Sequence, residues 1–395
     1  MGTSAISNYI KRIKELEPTL HAWAYFDEKL ARKNAAESRP GPLHNVPVGV
    51  KDIFNTYDMP TQMGSPIWAG FTPGNDARAV HNLRRAGAVI MGKTVTAEFA
   101  VHTPGPTRNP HNPEYMAGTS STGSAVAVAA GMVPLAIGSQ TAGSTIRPAS
   151  YCGVYGFKPS FGLIPRTGML KTTDTLDTVG MFARDVAGLR LLFEAMRVKG
   201  KDYPYSELAQ SKASRKNVRL FKGPLWSQAE AYVKDALLQF PYDCCNKIPP
   251  FFYPIRQLHA TIYDKTLSYY FREEYKQKSL VSPRMYEIIE RGMNVTPEAY
   301  QSALVQQAEI QAAFDEWMRC SHIEILLDFS TAGTALKGLD SEDRPDHCLL
   351  WTFLGLPVVS VPLFTGPNGM PFGVQVVGRK YEDYKVLAYA EELGK

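Results

Sequence analysis

The sequence predicts an α/β protein folded as a single large domain. Three observations point there: strand-like and helical segments alternate through the first half, β-rich runs reappear near the C-terminus, and 395 residues, 44% of them apolar, suffice for one large core. Taken in order, Ile6–Leu16 and Phe26–Glu37 carry helical periodicity on charged segments, which the Pro/Gly cluster RPGPLHNVPVG brings to an end. A strand containing Lys51 is expected next, then a helix in DARAVHNLRRAG and a buried strand in AVIMG. Ser124–Gly131 reads as a helix of small residues suited to close packing on a sheet, and VPLAIG as the strand after it. Arg184–Val198 is one amphipathic helix, after which the chain turns rich in Tyr, Phe, Lys and Glu up to Cys320 and reads as a mostly helical cover. EILLDF, LPVVSVP and FGVQVVG are short strands, and YEDYKVLAYAEELG closes as a helix. A chain that leaves a sheet, forms helices and comes back is still building one core. The expected organisation is therefore N-terminal helices over 1–40, a core over 41–198, a helical segment over 199–320 and a return to the sheet over 321–395.

Charge and cysteine content narrow the class of function. Forty-three basic and 38 acidic residues give a net charge of +5 with no block of one sign, so neither a nucleic-acid nor a membrane footprint is indicated, and a small molecule is the expected partner. Five cysteines, Cys152, Cys244, Cys245, Cys320 and Cys348, are an odd number without C-x-x-C pairs, which argues against a disulfide framework and a structural zinc site and for a reducing cytoplasm. The N-terminus is polar and helical rather than a signal peptide, and no apolar run approaches the ~20 residues that span a bilayer. His44, His81, His102 and His111 stand singly, and no pair has metal-ligand spacing; neither metal nor organic cofactor is expected.

The chemistry concentrates in Gly118–Gly156, where two serine-rich glycine loops are joined by a small-residue helix and a short apolar run, and in the lone lysine of PVGVKD upstream. Lys51, Ser120 and Ser144 are the candidates for catalysis. A serine hydroxyl is a poor nucleophile near neutral pH, and no histidine lies in either loop to activate it, so another base must take its proton. Lys51, on an expected buried strand after Val50 and before Ile53, can be that base, because desolvation disfavours the ammonium. Ser120, if it bridges Lys51 and Ser144, relays the proton and later returns one to the leaving amine. Thr141, Ala142, Gly143 and Ser144 can turn backbone N–H groups toward a developing oxyanion, where one such donor is worth roughly 3 kcal/mol in other enzymes. Ser121 is expected to steady the network by hydrogen bonding.

Gly87–Thr94 matches the phosphate-binding pattern G-x-x-x-x-G-K-[ST], which makes nucleotide binding the rival from another class. The context argues against it: Ala88–Met91 are themselves the apolar strand, preceded by a helix, where a phosphate loop needs exposed backbone after a strand.

The segments PVGVKD, GTSSTGSAVAVAAGMVPLAIGSQTAGS, RPASYCGVYGFKPSFG and LGLPVVSVP together resemble the amidase signature hydrolases, over most of residues 40–185 and 323–392. The resemblance implies a mixed central β-sheet with helices on both faces. It also implies a triad of Ser144 as nucleophile, Ser120 as bridging serine in a cis peptide and Lys51 as base. Taken singly, Ser120, Ser121 and Ser124 would cap the helix near Ser124, Lys51 would be a solvated surface residue and Ser144 a turn residue. Their joint occurrence in family order outweighs those readings. Arg147 is expected to hold carbonyls or an acidic neighbour, and Cys152 and Asp52 to be framework residues. Thr119 and Thr122 stand where many members have glycine, and the nucleophile loop reads Gln140-Thr141-Ala142-Gly143-Ser144 where they have Asp-Thr-Gly-Gly-Ser. The chain is shorter between Lys199 and Cys320, where members build their substrate funnel. There, FFYPIRQLHATIYDKTLSYYFREEY and Trp351 offer aromatic faces for an apolar pocket, which would suit an aryl or alkyl amide or a carbamate. The expected activity is hydrolysis of a small-molecule amide through an acyl-serine. An amidotransferase subunit is the alternative within the family, and a homodimer is left open.

Overall fold

The computed structural model describes residues 3–199, 213–245, 247–339 and 343–395. Two helices and a short strand open the chain: α1 (Thr3–Leu20), β1 (Trp23–Phe26) and α2 (Glu28–Ala36). Phe26 therefore ends a strand instead of beginning the expected helix. The aromatic run WAYF pairs antiparallel with a later strand, and the Asp27 side chain caps α2 by accepting from Leu30 N. Next come β2 (Pro47–Lys51), α3 (Arg78–Arg85), β3 (Val89–Thr94), α4 (Thr122–Ala129), β4 (Leu135–Gln140), α5 (Ile146–Cys152), β5 (Tyr155–Lys158), β6 (Thr178–Ala183) and α6 (Val186–Met196). The middle of the chain contributes β7 (Val218–Leu220), α7 (Ala231–Leu238), α8 (Ile255–Tyr270), α9 (Arg272–Tyr275), α10 (Pro283–Met293) and α11 (Pro297–Cys320). The C-terminal part adds β8 (Ile325–Phe329), α12 (Cys348–Phe353), β9 (Val358–Thr365), β10 (Pro371–Gly378) and α13 (Asp383–Leu393).

All ten strands join one mixed sheet in the order β1-β3-β2-β4-β6-β5-β9-β10-β8-β7. The segment expected to be helical over 199–320 also supplies β7, parallel to β8, and its residues 200–212 lie outside the described part. Strands β2, β3 and β4 run parallel, as the helical crossovers α3 and α4 demand, whereas β6, β5, β9 and β10 alternate in direction.

The period-2 alternation of strand side chains divides the core between the two faces. Ile90, Leu135, Ile137, Ile325 and Leu327 pack with α3, α6, α7 and α13. From the opposite face Val89, Met91 and Ala136 meet α1 and α4, and Leu326, Val358 and Val377 meet α8, α11 and α12. Helix α4 lies against the sheet so closely that a Cβ on Gly123 would sit 2.3 Å from both Ala22 O and Val95 N.

The phosphate-loop pattern is a coincidence of sequence, which removes the nucleotide-binding alternative. Gly87 (φ 94°) ends α3, and the N–H groups of Gly87, Ala88 and Val89 donate to Arg84 O, Leu83 O and Val46 O. Lys93 is fully buried within β3, paired with Asp52 at 3.0 Å and bonded to Thr61 Oγ1 at 2.7 Å. No cradle of free N–H groups is left there for a phosphate.

Candidate active site

Lys51 is the last residue of β2, and Ser139 lies one residue from the end of β4, the strand paired in parallel beside it. Carboxyl ends of parallel strands are where open α/β sheets collect their functional groups. Lys51 Nζ donates to Ser120 Oγ at 2.7 Å and to Ser139 Oγ at 2.9 Å, and all three residues are buried. Burial holds the Lys51 ammonium well below the usual lysine range; the charge of Asp177 opposes that shift without cancelling it. A dry amine in contact with a hydroxyl can exchange a proton with it.

Ser120 follows Thr119 through a cis peptide bond. The serines at the start of α4 do not cap it with their side chains: Ser121, at the N-cap position, makes no such bond, and Ser124, inside the first turn, donates from Oγ to Ile137 O at 2.9 Å and meets Thr94 Oγ1 at 2.7 Å. Ser121 Oγ donates to Ser139 O at 3.1 Å and accepts from Ser139 N at 3.3 Å, so it ties its loop to β4. This approach requires Gly138, whose Cβ would meet Ser121 Oγ at 2.7 Å.

The loop 141–144 is held from behind by its carbonyls. Thr141 O accepts from His259 Nε2 (2.9 Å), Ala142 O from Thr352 Oγ1 (2.6 Å), Gly143 O from Arg147 N (2.9 Å) and Ser144 O from Ser121 N (3.3 Å). In a planar trans peptide the next N–H points the opposite way. The Ala142, Gly143 and Ser144 N–H groups are thus turned from those partners, and among the described residues none of them, nor Thr141 N–H, donates to a protein acceptor. Gln140 supports the loop: its Oε1 accepts from Thr145 N and Ile146 N, satisfying the start of α5, while its Nε2 donates to Thr352 Oγ1 at 3.0 Å. The carboxylate of Asp177 accepts from Thr141 Oγ1 (2.7 Å) and from the N–H groups of Thr172 and Thr173. The chain thus brings Lys51, Ser120 and Ser121 together around Ser139 and joins the two loops backbone to backbone. Ser144 Oγ itself makes no hydrogen bond among the described residues, and the residue is 7% exposed, at the edge of the cluster.

Arg147 is a framework residue as expected, lying 3.1 Å from Asp343 and 3.3 Å from Asp346 and donating to Thr119 O. Thr119, where many relatives of the motif have glycine, bonds to Asp343 through both its N–H and its hydroxyl. Asp346 packs directly on the loop, so that a Cβ on Gly143 would come within 2.4 Å of it.

A cavity of about 360 Å³ opens beside Thr119 and Ala142. Its far wall comes from α8 and α10 and corrects the expected apolar pocket. Arg256, His259, Tyr263, Arg284 and Arg291 line it, and Asp264, Arg344 and Asp346 complete its polar rim. Trp351 is fully buried away from it, against Phe221, Phe252 and Phe314. Helical periodicity sends one face of α8 into the core and another toward the cavity, and the sequence does not say which face receives the rings. Ser139, Gln140, Asp177, His259 and Thr352 are the residues that sequence reasoning missed. Ser139 and Gln140 lie within the quoted motif, whereas the other three reach the site only through folding.

Residues 4–226 match the Amidase family. The chain is 29% identical to a glutamyl-tRNA(Gln) amidotransferase subunit of Lachnospira eligens, covering 100% of this chain and 95% of that one. Among solved structures, an amidase superposes with a TM-score of 0.85 at 28% identity, over 99% of this chain and 95% of the other. The native peptide amidase of Stenotrophomonas maltophilia gives 0.84 at 26% identity, over 99% and 93%.

Proposed function

Since this chain belongs to the Amidase family and is a hydrolase of carbon–nitrogen bonds, we propose that it cleaves a small-molecule amide through an acyl-Ser144 intermediate, with Ser120 and Lys51 moving the proton. The observation that carries this reading is the wholly buried Lys51 amine, disfavoured as ammonium, 2.7 Å from Ser120 Oγ.

With Lys51 uncharged, Ser144 Oγ attacks the amide carbon as its proton passes to Ser120 Oγ and the Ser120 proton passes to Lys51 Nζ. The carbonyl π electrons move onto oxygen, and the free N–H groups of Ala142, Gly143 and Ser144 are the donors suited to that charge. When the C–N bond breaks, the departing nitrogen takes the proton of Ser120, which Lys51 replaces. Water then adds to the acyl carbon, giving its proton back along the same path, and Ser144 leaves with a proton as the acid is released.

A fluorophosphonate tests the assignment directly. Intact mass should rise by one adduct, peptide mapping should find it on Ser144, and Ser144→Ala should take up none and turn over no amide. Label on another residue, or amide turnover by Ser144→Ala at the rate of the unchanged chain, would overturn it. The full-length likeness to an amidotransferase subunit favours a second reading, in which the released ammonia passes to a partner protein. Turnover of simple amides by the lone chain supports the hydrolase; a Ser144 adduct without any such turnover supports the amidotransferase role.

A further inference from the structure

The wall facing the candidate nucleophile loop carries more positive charge than its own carboxylates use. Five arginines and three aspartates line the cavity. Each aspartate is engaged: Asp264 by Arg291 at 2.9 and 3.1 Å, Asp343 and Asp346 by Arg147. Arg344 is taken up by Glu230 at 2.7 Å, with its Nε donating to Thr334 O. The side chain of Arg256, near the start of α8, makes no ion pair or hydrogen bond among the described residues, and Arg284 lines the same wall from α10. The two lining histidines do not add cations, because burial and the neighbouring arginines push His102 down to about 3 and burial lowers His259. An arginine in a polar cavity of this size is suited to a planar anion, which its fork of N–H groups grips through two parallel bonds.

We infer that the substrate is a small amide bearing a carboxylate on the part that enters this cavity, held by Arg256. The inference rests on the amidase reading for its reaction but not for its binding. A carboxylate brought here from water exchanges hydration for a preformed cationic wall, whereas a neutral alkyl or aryl group would meet no matching charge and gain little apolar contact. The cavity volume, at the low end of ligand sites, fits a short chain between amide and carboxylate rather than a peptide or a fatty acyl group.

The test compares succinamate with its neutral counterpart butanamide, and titrates succinate by calorimetry, using the full chain and its Arg256→Gln and Arg256→Lys variants. The unchanged chain should show a higher kcat/KM for succinamate. Arg256→Gln should lower the succinamate-to-butanamide ratio and the succinate affinity roughly 10- to 100-fold, the scale of a lost charge-assisted pair. Arg256→Lys should recover part of both, since charge returns without the fork. Arg256 is exposed, so a Tm close to that of the unchanged chain will show that Arg256→Gln is folded. Equal succinate affinity in the unchanged chain and Arg256→Gln, or a preference of the unchanged chain for butanamide, would overturn the inference. If no amide is turned over and Ser144 takes no label, the amidase reading fails, and succinate binding still decides the anion site.

Discussion

At the residue scale, burial of a single amine decides the chemistry available. An exposed lysine stays charged at neutral pH and cannot accept a proton; Lys51 is wholly buried, and the charge of Asp177 opposes the effect of burial without cancelling it. Because its lowered pKa favours the free amine in the folded state, kcat/KM should fall as pH drops and Lys51 takes up its proton, with the acid limb below the usual lysine range. Lys51→Ala should lose roughly 100- to 10,000-fold in kcat, the usual contribution of proton transfer by a side chain, and the limb with it. A rate profile of the variant that retains both the rate and the limb would show that another group is the base. Ser139 also belongs at this scale, because its hydroxyl is the second acceptor for the amine. Ser139→Ala takes a hydrogen bond from the ammonium, so the limb should move to lower pH while Ser144 stays open to the fluorophosphonate. A limb that stays in place or moves to higher pH would show that this contact does not favour the charged form.

At the element scale, the site depends on how tightly α4 lies on the sheet. Gly123→Ala would improve intrinsic helix propensity by about 1 kcal/mol, yet its methyl group would meet backbone atoms of Ala22 and Val95 at 2.3 Å. Neither backbone can move without disturbing β1 or β3, so the overpacking cost of about 1–3 kcal/mol wins. A lower denaturation midpoint is expected for Gly123→Ala, along with slower labelling of Ser144, since α4 begins directly after Ser121. An equal or higher midpoint would show that α4 has room to shift. Most of these elements were legible in the sequence: β2, α3, β3, α4 and β4 follow from alternating apolar runs bounded by Gly and Pro. The strands that escaped reading are short or glycine-containing, such as VRL in β7 and YGFK in β5, and acquire their identity from neighbours distant in sequence. β1 was hidden because four residues between two helices carry too little periodicity to separate strand from helix.

At the scale of the whole molecule, the sheet centre is locked to the C-terminal helix through buried ionisable groups. Lys158 at the end of β5 donates to Pro159 O and Leu356 O, and Asp383 at the start of α13 accepts from Ser160 N and Ser160 Oγ. Burial lowers Lys158 to about 7 and raises Asp383 to about 6. Between pH 7 and the unfolded lysine value the unfolded chain binds the extra proton, so the Lys158 contribution to stability rises with pH over that window. Below pH 7 the dependence flattens, because both states are protonated and the folded chain bears the full cost of a buried ammonium. Unfolding free energies of the unchanged chain minus those of Lys158→Met, measured by denaturant at pH 7, 8 and 9, should therefore climb, approaching about 1.4 kcal/mol per pH unit. A flat difference would show that Lys158 keeps its charge in the folded state.

The amino-acid sequence by itself determined the class of sheet, the two serine loops and the lysine upstream, because short-range pattern records periodicity, turn chemistry and motif spacing directly. Only the tertiary structure decided that Ser139 shares the lysine, that His259 and Thr352 hold the loop carbonyls, and that five arginines line the cavity while Trp351 and the phenylalanines are turned into the core. Those outcomes depend on which side of a helix meets a core assembled from segments more than a hundred residues apart. A local pattern of apolar and charged positions is compatible with either orientation until the packing is complete.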